Sequence, residues 1–308
     1  MSDTHPSAGG VAAALGAFGL WGLLPLYFHL IGPSVSPWEI LVQRVIWAAV
    51  LLALVLAAAG RWTRVRAVLA QPHLRRPLMA STVLIVANWG VFIWAVTNGH
   101  VLESSLGYYI NPLLNVFLGF AFLGERLRRW QMLAVGVAAA GVILRVIAFG
   151  SVPWIALVLA GCFGGYGLIR KQLAVDSATG LFLETLMALP AALIGLAWMY
   201  AEGRAQLFIA SPVIDVLLIG AGAATVVPLV LFTAAAQRLR LATLGLFQYI
   251  TPTMHLLTGV LVLGEPFTGA DGVTFAAIWT GLAVYTADTW SAQRAARRRL
   301  QPSSASSR

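Results

Sequence analysis

Apolar stretches of about 20 residues recur along the chain, separated by short segments that carry Gly, Pro and charged residues. An α-helix of that length spans the hydrocarbon core of a bilayer, which is about 30 Å thick. The pattern predicts an all-α integral membrane protein with ten transmembrane helices, at about 11–31, 37–59, 78–97, 102–123, 127–148, 152–171, 179–200, 212–236, 241–264 and 270–289.

The composition agrees with this class of protein. Hydrophobic residues make up 59% of the 308 positions and charged residues 10%, whereas soluble domains carry about 25% charged residues. Cys162 is the single cysteine, so an intramolecular disulfide and a CxxC metal site are excluded. The sequence has neither an HExxH motif nor a P-loop, and we therefore expect no enzyme activity, no cofactor and no metal.

Lysine and arginine are concentrated in alternate segments between the predicted spans. Most of the 20 basic residues follow the second, fourth, sixth and eighth spans or lie in the C-terminal tail. Because cytoplasmic loops collect Lys and Arg, this distribution places both termini in the cytoplasm. The net charge of +9 therefore indicates membrane anchoring, and we expect no nucleic-acid partner. The segment before the first span has no basic residue, which favours a retained helix over a cleaved signal peptide.

The two halves of the chain repeat each other. At an offset of 140, Tyr109-Ile110-Asn111-Pro112 matches Tyr249-Ile250-Thr251-Pro252, and Gly124-Glu125 matches Gly264-Glu265. Because five spans, an odd number, separate the copies, the two repeats run in opposite directions through the bilayer. We expect one five-helix repeat in residues 1–148, an inverted five-helix repeat in 149–290, and a disordered basic cytoplasmic tail in 291–308.

Several segments also resemble a known family. They are NWGVFIWAV (88–96), LESSLGYYINPLLN (102–115) and LGERLRRWQ (123–131) in the first half, and FGGYGLIRKQLAV (163–175), ETLMALP (184–190) and LRLATLGLFQYITP (239–252) in the second. These segments are similar to the EamA family of the drug/metabolite transporter superfamily, and to its RarD subfamily in particular. The resemblance implies a ten-helix exporter in the bacterial inner membrane. It also implies a histidine in the segment 39–44, and this chain departs from that pattern because it has Gln43 there.

Three ionisable residues inside the spans are candidates for gating or proton coupling. Glu39 and Glu184 are equivalent in the two repeats at an offset of 145, so the inverted arrangement places them at opposite ends of one pathway. One interpretation is that each glutamate is a gate or proton-accepting site, and that the two are exposed in alternation at the two mouths of the pathway. The other is that each carboxylate stabilises the first turn of its own helix. Arg44 requires a partner, either a group on another helix or a substrate carboxylate.

Polar and aromatic residues of the spans form a predicted substrate cavity. Its lining comprises Trp21, Asn88, Trp89, Trp94, Tyr108, Tyr109, Asn111, Asn115, Tyr166, Gln248, Tyr249 and His255. Helix kinks are expected at Pro25, Pro112 and Pro252, because proline removes a backbone N–H. Hydrogen bonding between helices, worth about 0.6 kcal/mol per bond, is the alternative role of these polar residues.

The function predicted from these features is transport of a small polar or aromatic metabolite, or a drug-like compound, by alternating access with optional proton coupling. The expected partners are a small-molecule substrate and the lipid bilayer. A passive channel, and a membrane receptor or scaffold without transport activity, remain as alternatives.

Overall fold

The computed structural model describes residues 8–123, 128–149, 152–173, 175–236, 238 and 247–300. Short connections join twelve α-helices in this part of the chain. They are α1 (Ala8–Gly22), α2 (Leu24–Ile31), α3 (Pro37–Ala58), α4 (Trp62–Leu69), α5 (Pro72–Thr97), α6 (Val101–Leu123), α7 (Arg129–Phe149), α8 (Trp154–Gln172), α9 (Ser177–Ala201), α10 (Pro212–Ala236), α11 (Ile250–Leu257) and α12 (Gly269–Leu300).

Helices overlap each of the ten segments predicted from the apolar pattern, of which residues 127 and 241–246 lie outside the described residues. Within the described part of the chain, five helical stretches are long and apolar enough to cross a membrane, as judged by length and hydropathy. They are Ala8–Ile31, Pro37–Ala58, Pro72–Thr97, Ser177–Ala201 and Pro212–Phe232. The chain is therefore a helical multi-pass membrane protein. Large apolar side chains such as Leu54, Ile194 and Val216 are exposed on the helix surfaces, as expected where the surrounding solvent is lipid.

The first stretch is two helices, because α1 ends at Gly22 and α2 begins at Leu24. Pro25 lies in the first turn of α2. Backbone N–H groups in a first turn have no partner within the helix, so the missing N–H of proline costs no helical hydrogen bond. Pro112 lies inside α6, which continues across it, and Pro252 lies inside α11. A single π-helical turn, Thr258–Val262, follows α11 directly.

Two elements extend into regions where the apolar pattern predicts none. The amphipathic helix α4 occupies part of the basic segment after the second span, and its Val65 is buried. The last helix continues to Leu300, although residues 291–308 are predicted to be disordered. Ala, Gln and Arg dominate Ser291–Leu300, and their high helix propensity accounts for this extension. Residues 301–308 lie outside the described residues.

The helices form two compact units that do not follow the boundary between the predicted repeats. Unit 1 combines Met1–Asn111 with Trp154–Pro266, and unit 2 combines Pro112–Pro153 with Phe267–Arg308. Each unit thus takes segments from both halves of the chain.

In unit 1, α3 packs against α5, α9 and α10, while α1 packs against α10 and α11. Its core is apolar and includes Phe28, Ile40, Leu52 and Ile93. Helices α6 and α8 approach closely at Gly107, where an added Cβ would lie 2.8 Å from the backbone oxygen of Ala156.

In unit 2, α7 packs along α12. A Cβ on Gly141 would lie 2.6 Å from the Cβ of Ala277, and a Cβ on Gly281 would lie 2.7 Å from the backbone oxygen of Ala134. Small residues therefore let these two helix backbones come close together, as is common in membranes.

Candidate functional site

Arg44 lies on α3 and is buried within unit 1, with 4% of its surface exposed. Its Nε donates a hydrogen bond to Thr225 Oγ1 on α10 at 2.8 Å. The guanidinium carbon lies 4.5 Å from the ring centroid of Trp89 and 5.9 Å from that of Phe28. Its Nη1 is buried and has no hydrogen-bond partner. Arg44 is thus held in place while part of its hydrogen-bonding capacity stays unused.

Aromatic rings extend from Arg44 across unit 1. Phe28 contacts Phe92, and Phe92 stacks on the imidazole of His255 with a centroid distance of 5.2 Å. Tyr108 contacts both Phe92 and His255 edge-on, at 5.7 Å in each case. We call Phe28, Arg44, Trp89, Phe92, Tyr108 and His255 the arginine–aromatic cluster. It combines one fixed positive charge with apolar ring surface.

Five further side chains of unit 1 carry buried polar atoms without a hydrogen-bond partner. These atoms are Gln43 Nε2, Asn111 Nδ2 and Oδ1, Arg170 Nη1, Thr179 Oγ1 and His255 Nδ1. The Nε2 of His255 lies 3.1 Å from the backbone oxygen of Trp21. Since a carbonyl oxygen only accepts, Nε2 must carry a hydrogen, and Nδ1 of the neutral ring is then an acceptor that lacks a donor. Buried polar groups are normally paired, so unpaired ones inside a membrane protein are candidates for a functional site.

Glu184 forms a second polar group on α9, and its side chain is fully buried. Tyr166 donates to its Oε2 at 3.2 Å, and Ser81 Oγ lies 2.7 Å from its Oε1. Arg170 Nε lies 3.8 Å from Oε1, within ion-pair distance but too far for a hydrogen bond. Helices α5, α8 and α9 each contribute a side chain to this group. The Tyr166 ring also contacts Phe163, which itself contacts Tyr108 of the arginine–aromatic cluster.

The hydrogen bonds of Ser81 allow Glu184 to be either ionised or protonated. Ser81 Oγ lies 2.9 Å from Leu78 O as well as 2.7 Å from Glu184 Oε1. A hydroxyl carries a single hydrogen, and a carbonyl oxygen can only accept one. If Ser81 donates to Leu78, its bond to Glu184 requires a hydrogen on the carboxyl group. If Ser81 donates to Glu184, the carboxylate is ionised. The same heavy-atom positions therefore serve both states.

The connection before α9 is tied to these residues. Arg170 Nη2 donates to the backbone oxygens of Val175 and Asp176, at 3.4 and 3.3 Å, and its guanidinium covers Gly180. The carboxylate of Asp176 caps α9 by accepting from Thr179 N at 3.1 Å. Partial burial opposes ionisation of Asp176, but the Thr179 hydrogen bonds and the charges of nearby arginines lower its pKa below the ordinary value.

Glu39 is fully buried at the start of α3 and binds backbone rather than side chains. Its Oε1 accepts from Gln206 N at 2.8 Å and from Leu207 N at 3.0 Å, and its Oε2 accepts from Gln206 N at 3.0 Å. These bonds fasten α3 to the segment that connects α9 and α10. The two repeat-related glutamates therefore have different environments, because Glu184 interacts with side chains.

Two more carboxylates cap distant helices in a way that sequence reasoning missed. Glu265 accepts from Val101 N at 2.6 Å and from Leu102 N at 2.7 Å, at the start of α6. Glu103, in the first turn of α6, accepts from Ile155 N at 3.1 Å, near the start of α8. The recurrence of Gly-Glu in the two repeats is the signal in the sequence for Glu265, but it does not indicate which helix this glutamate caps. Contacts across 164 residues leave no local pattern.

The remaining residues predicted to line the cavity make separate contacts and do not form one group. Asn88 is buried, donates to Leu159 O at 3.0 Å and accepts from Tyr108 OH at 3.3 Å. Tyr109 OH lies 2.6 Å from Thr253 Oγ1. Trp94 stacks on His100 at 5.4 Å.

Outside these contacts, Trp21 packs against Phe18 and Phe232. Gln248 and Tyr249 are half-buried, and Asn115 is exposed. Of the predicted residues, Arg44, Trp89, Tyr108 and His255 come together in the arginine–aromatic cluster. The contacting residues Thr225, Ser81 and Arg170 were not among the residues predicted to form the site. For Thr225 and Ser81, an isolated hydroxyl side chain inside an apolar span is a sequence feature that could have indicated a buried polar contact.

Long apolar helices around a buried, partly unpaired charge are typical of membrane transport proteins. Comparison with known proteins agrees, because the sequence profile of the EamA-like transporter family matches residues 8–147. Protein RarD of Escherichia coli K12 is 47% identical over 294 residues, 95% of this chain and 98% of that protein. An uncharacterized transporter of Vibrio cholerae is 47% identical over 296 residues, 96% of this chain and 98% of that protein.

A Pseudomonas aeruginosa protein named chloramphenicol-sensitive protein RarD is 34% identical over 89% of this chain and 92% of its own length. A solved crystal structure of a protein, 20% identical, superposes with a TM-score of 0.59 over 91% of this chain and 98% of that one. This last similarity shows the fold alone. The chain belongs to the EamA-like transporter family, close in sequence to the RarD proteins, and is a membrane transporter rather than an enzyme.

Proposed function

We propose that this protein is a carrier in the bacterial inner membrane that exports a small metabolite or drug-like compound with an aromatic or polar body. Ten transmembrane helices in two inverted five-helix repeats, with both termini cytoplasmic, would expose one substrate site to each side in turn. The single observation that carries the proposal is Arg44, a buried cation with an unpaired Nη1 among aromatic rings. A desolvated charge in a membrane is costly, and a site kept for a substrate explains its retention.

The contacts in unit 2 support the repeat. Gly141 lies against Thr274 and Ala277 on α12, while Gly281 lies against Ala134 and Ala138 on α7. At the offset of 140 residues, Gly141 corresponds to Gly281 and Ala134 to Thr274. For the pair Ala134 and Thr274, each glycine therefore meets the counterpart of the residue that the other glycine meets, which is the reciprocity that a two-fold axis imposes.

Proton coupling, where it occurs, is proposed to run through Glu184. Its contact with Ser81 suits both the ionised and the protonated carboxyl group. Protonation of Oε2 of Glu39 would disturb the contact of that oxygen with Gln206 N, and the neutral carboxyl group would hold the two contacts to Oε1 more weakly. Glu39 and Glu184 are equivalent candidates in the sequence, and the hydrogen bonds of Glu39 to backbone favour a structural role for it.

The test is flux into proteoliposomes of the purified protein, with a panel of small carboxylates, amino acids, aromatic amines and chloramphenicol. Saturable uptake with counterflow would support a carrier, flux without saturation a channel, and no flux for any compound a receptor or scaffold. An imposed pH gradient is then compared between the wild type, Glu184→Gln and Arg204→Gln. Arg204 is an exposed arginine outside the cluster, so its substitution controls for loss of a polar residue.

For proton coupling through Glu184, only Glu184→Gln should lose the response to the gradient. Glutamine keeps an acceptor for Tyr166 and fills the same volume, so the variant should still fold. A Glu184→Gln protein that responds to the gradient like the wild type would remove Glu184 from the mechanism.

A further inference from the structure

The charge balance around Arg44 identifies the chemical class of the substrate. Among the described residues, no carboxylate forms an ion pair with Arg44. Two carboxylates are buried in the described helices of unit 1, and both already have hydrogen-bond partners. Glu39 accepts from Gln206 N and Leu207 N, while Glu184 interacts with Ser81, Tyr166 and Arg170. The guanidinium therefore has no negatively charged partner among the described residues.

The guanidinium is fixed in advance. Thr225 Oγ1 donates its own hydrogen to Ala221 O at 3.0 Å, so a lone pair is directed to Arg44 Nε at 2.8 Å. The ring of Trp89, 4.5 Å away, supports the planar group from one face. A guanidinium held in this manner has lost its rotational freedom before a ligand arrives, which lowers the cost of binding a carboxylate.

The surroundings of Arg44 also determine what the rest of the ligand must be. Phe28, Trp89, Phe92 and Tyr108 present apolar ring surface beside the charge. A zwitterionic amino acid would bring an ammonium group that needs an acidic partner, and Glu39 and Glu184 are both engaged. The ammonium would also be repelled by Arg44 at short range in a medium of low dielectric constant.

Resting on the proposed function, we infer that the substrate is a small organic monoanion, a carboxylate with an apolar or aromatic body and no ammonium group, whose carboxylate binds Arg44. One positive charge matches one carboxylate. The aromatic rings provide the stacking surface for the body of the ligand.

The experiment measures equilibrium binding to the protein in lipid nanodiscs with matched probes that share a phenyl ring. The anions are 3-phenyllactate and 3-phenylpropanoate, the zwitterion is phenylalanine, the cation is 2-phenylethylamine and the neutral compound is 3-phenylpropane-1,2-diol. At least one anion should bind at least about 10-fold more tightly than the other three charge classes. Arg44→Gln should weaken that binding on the order of 10- to 100-fold, as expected for loss of a charge-assisted contact.

Arg44→Lys keeps the charge and should lie between the wild type and Arg44→Gln, which guards against misfolding of a single variant. Arg204→Gln is the matched control, because Arg204 also lies over a tryptophan, with its guanidinium carbon 5.6 Å from the Trp198 ring, but is exposed. It should bind like the wild type.

Binding of the neutral or zwitterionic probe as tight as that of the anions would overturn the inference. So would an anion affinity unchanged in Arg44→Gln, or no anion binding at millimolar concentration. Saturable flux of a neutral compound would refute the substrate class while leaving the carrier function intact. Anion binding without flux of any compound would support the predicted ligand class but refute the carrier function.

Discussion

Replacing Glu39 by glutamine tests whether this buried carboxylate is a structural tie. Its oxygens accept from Gln206 N at 2.8 and 3.0 Å and from Leu207 N at 3.0 Å. Glutamine retains one acceptor oxygen, so two of these contacts survive as weaker neutral bonds. At the third, an amide N–H2 faces the N–H of Gln206, and two donors meet. Hydrogen bonds to a charged group contribute about 1.5–3 kcal/mol and neutral ones about 0.5–1.5 kcal/mol.

The expected loss of stability is therefore about 2–4 kcal/mol, which corresponds to about 3–6 °C in the temperature of unfolding for a chain of 308 residues. Thermal unfolding of the purified protein in nanodiscs, followed by tryptophan fluorescence, measures this shift. Glu39→Asp keeps the charge but shortens the side chain by one C–C bond of about 1.5 Å, so it should also lose contacts and stability.

Gln206→Ala is the matched control. It keeps the backbone N–H that Glu39 binds and removes only a side chain whose Nε2 makes a weak contact with Arg204 O at 3.4 Å. It should unfold within about 1 °C of the wild type. The reasoning fails if Glu39→Gln is as stable as the wild type. A variant of normal stability whose flux no longer responds to a pH gradient would instead restore Glu39 as a proton carrier.

Three further substitutions test other contacts by the same unfolding assay. Glu265→Gln should lower the free energy of unfolding by about 1–3 kcal/mol, because the Glu265 carboxylate accepts from Val101 N at 2.6 Å and from Leu102 N at 2.7 Å. An unfolding temperature equal to that of the wild type would contradict this. Gly107→Ala should cost about 1–3 kcal/mol, since its Cβ would meet backbone at 2.8 Å, whereas Gly161→Ala on α8, with nothing within 4 Å, should be neutral. Asp176→Ala should lose about 1 kcal/mol of capping at neutral pH, while Asp176→Asn keeps the cap and loses less. Because folding lowers the pKa of Asp176, the stabilisation due to its charge is complete above about pH 4 and lost as the pH falls further, so the wild type and Asp176→Asn should converge in acid.

The site was only partly visible in the sequence. Arg44, Trp89, Tyr108 and His255 stand out because charged, polar and aromatic side chains are rare or distinctive in apolar spans. Their assembly into one cluster, and the absence of an ion pair to Arg44 among the described residues, depend on which helices are neighbours. The sequence also could not separate the roles of Glu39 and Glu184, because the repeat makes the two positions equivalent.

By itself, the sequence determined the class of protein and the approximate positions of its long apolar helices, because a bilayer demands about 20 apolar residues for each crossing. Only the tertiary structure decided the partner of each polar group. Glu39 and Leu207 are 168 residues apart, and Arg44 and Thr225 are 181 apart. Contacts over such separations arise from helix packing and leave no trace in local composition. The structure thereby distinguished a carboxylate bound by backbone, Glu39, from one surrounded by side chains, Glu184. It also distinguished Arg170, which lies within ion-pair distance of Glu184, from Arg44, which has no counter-charge among the described residues.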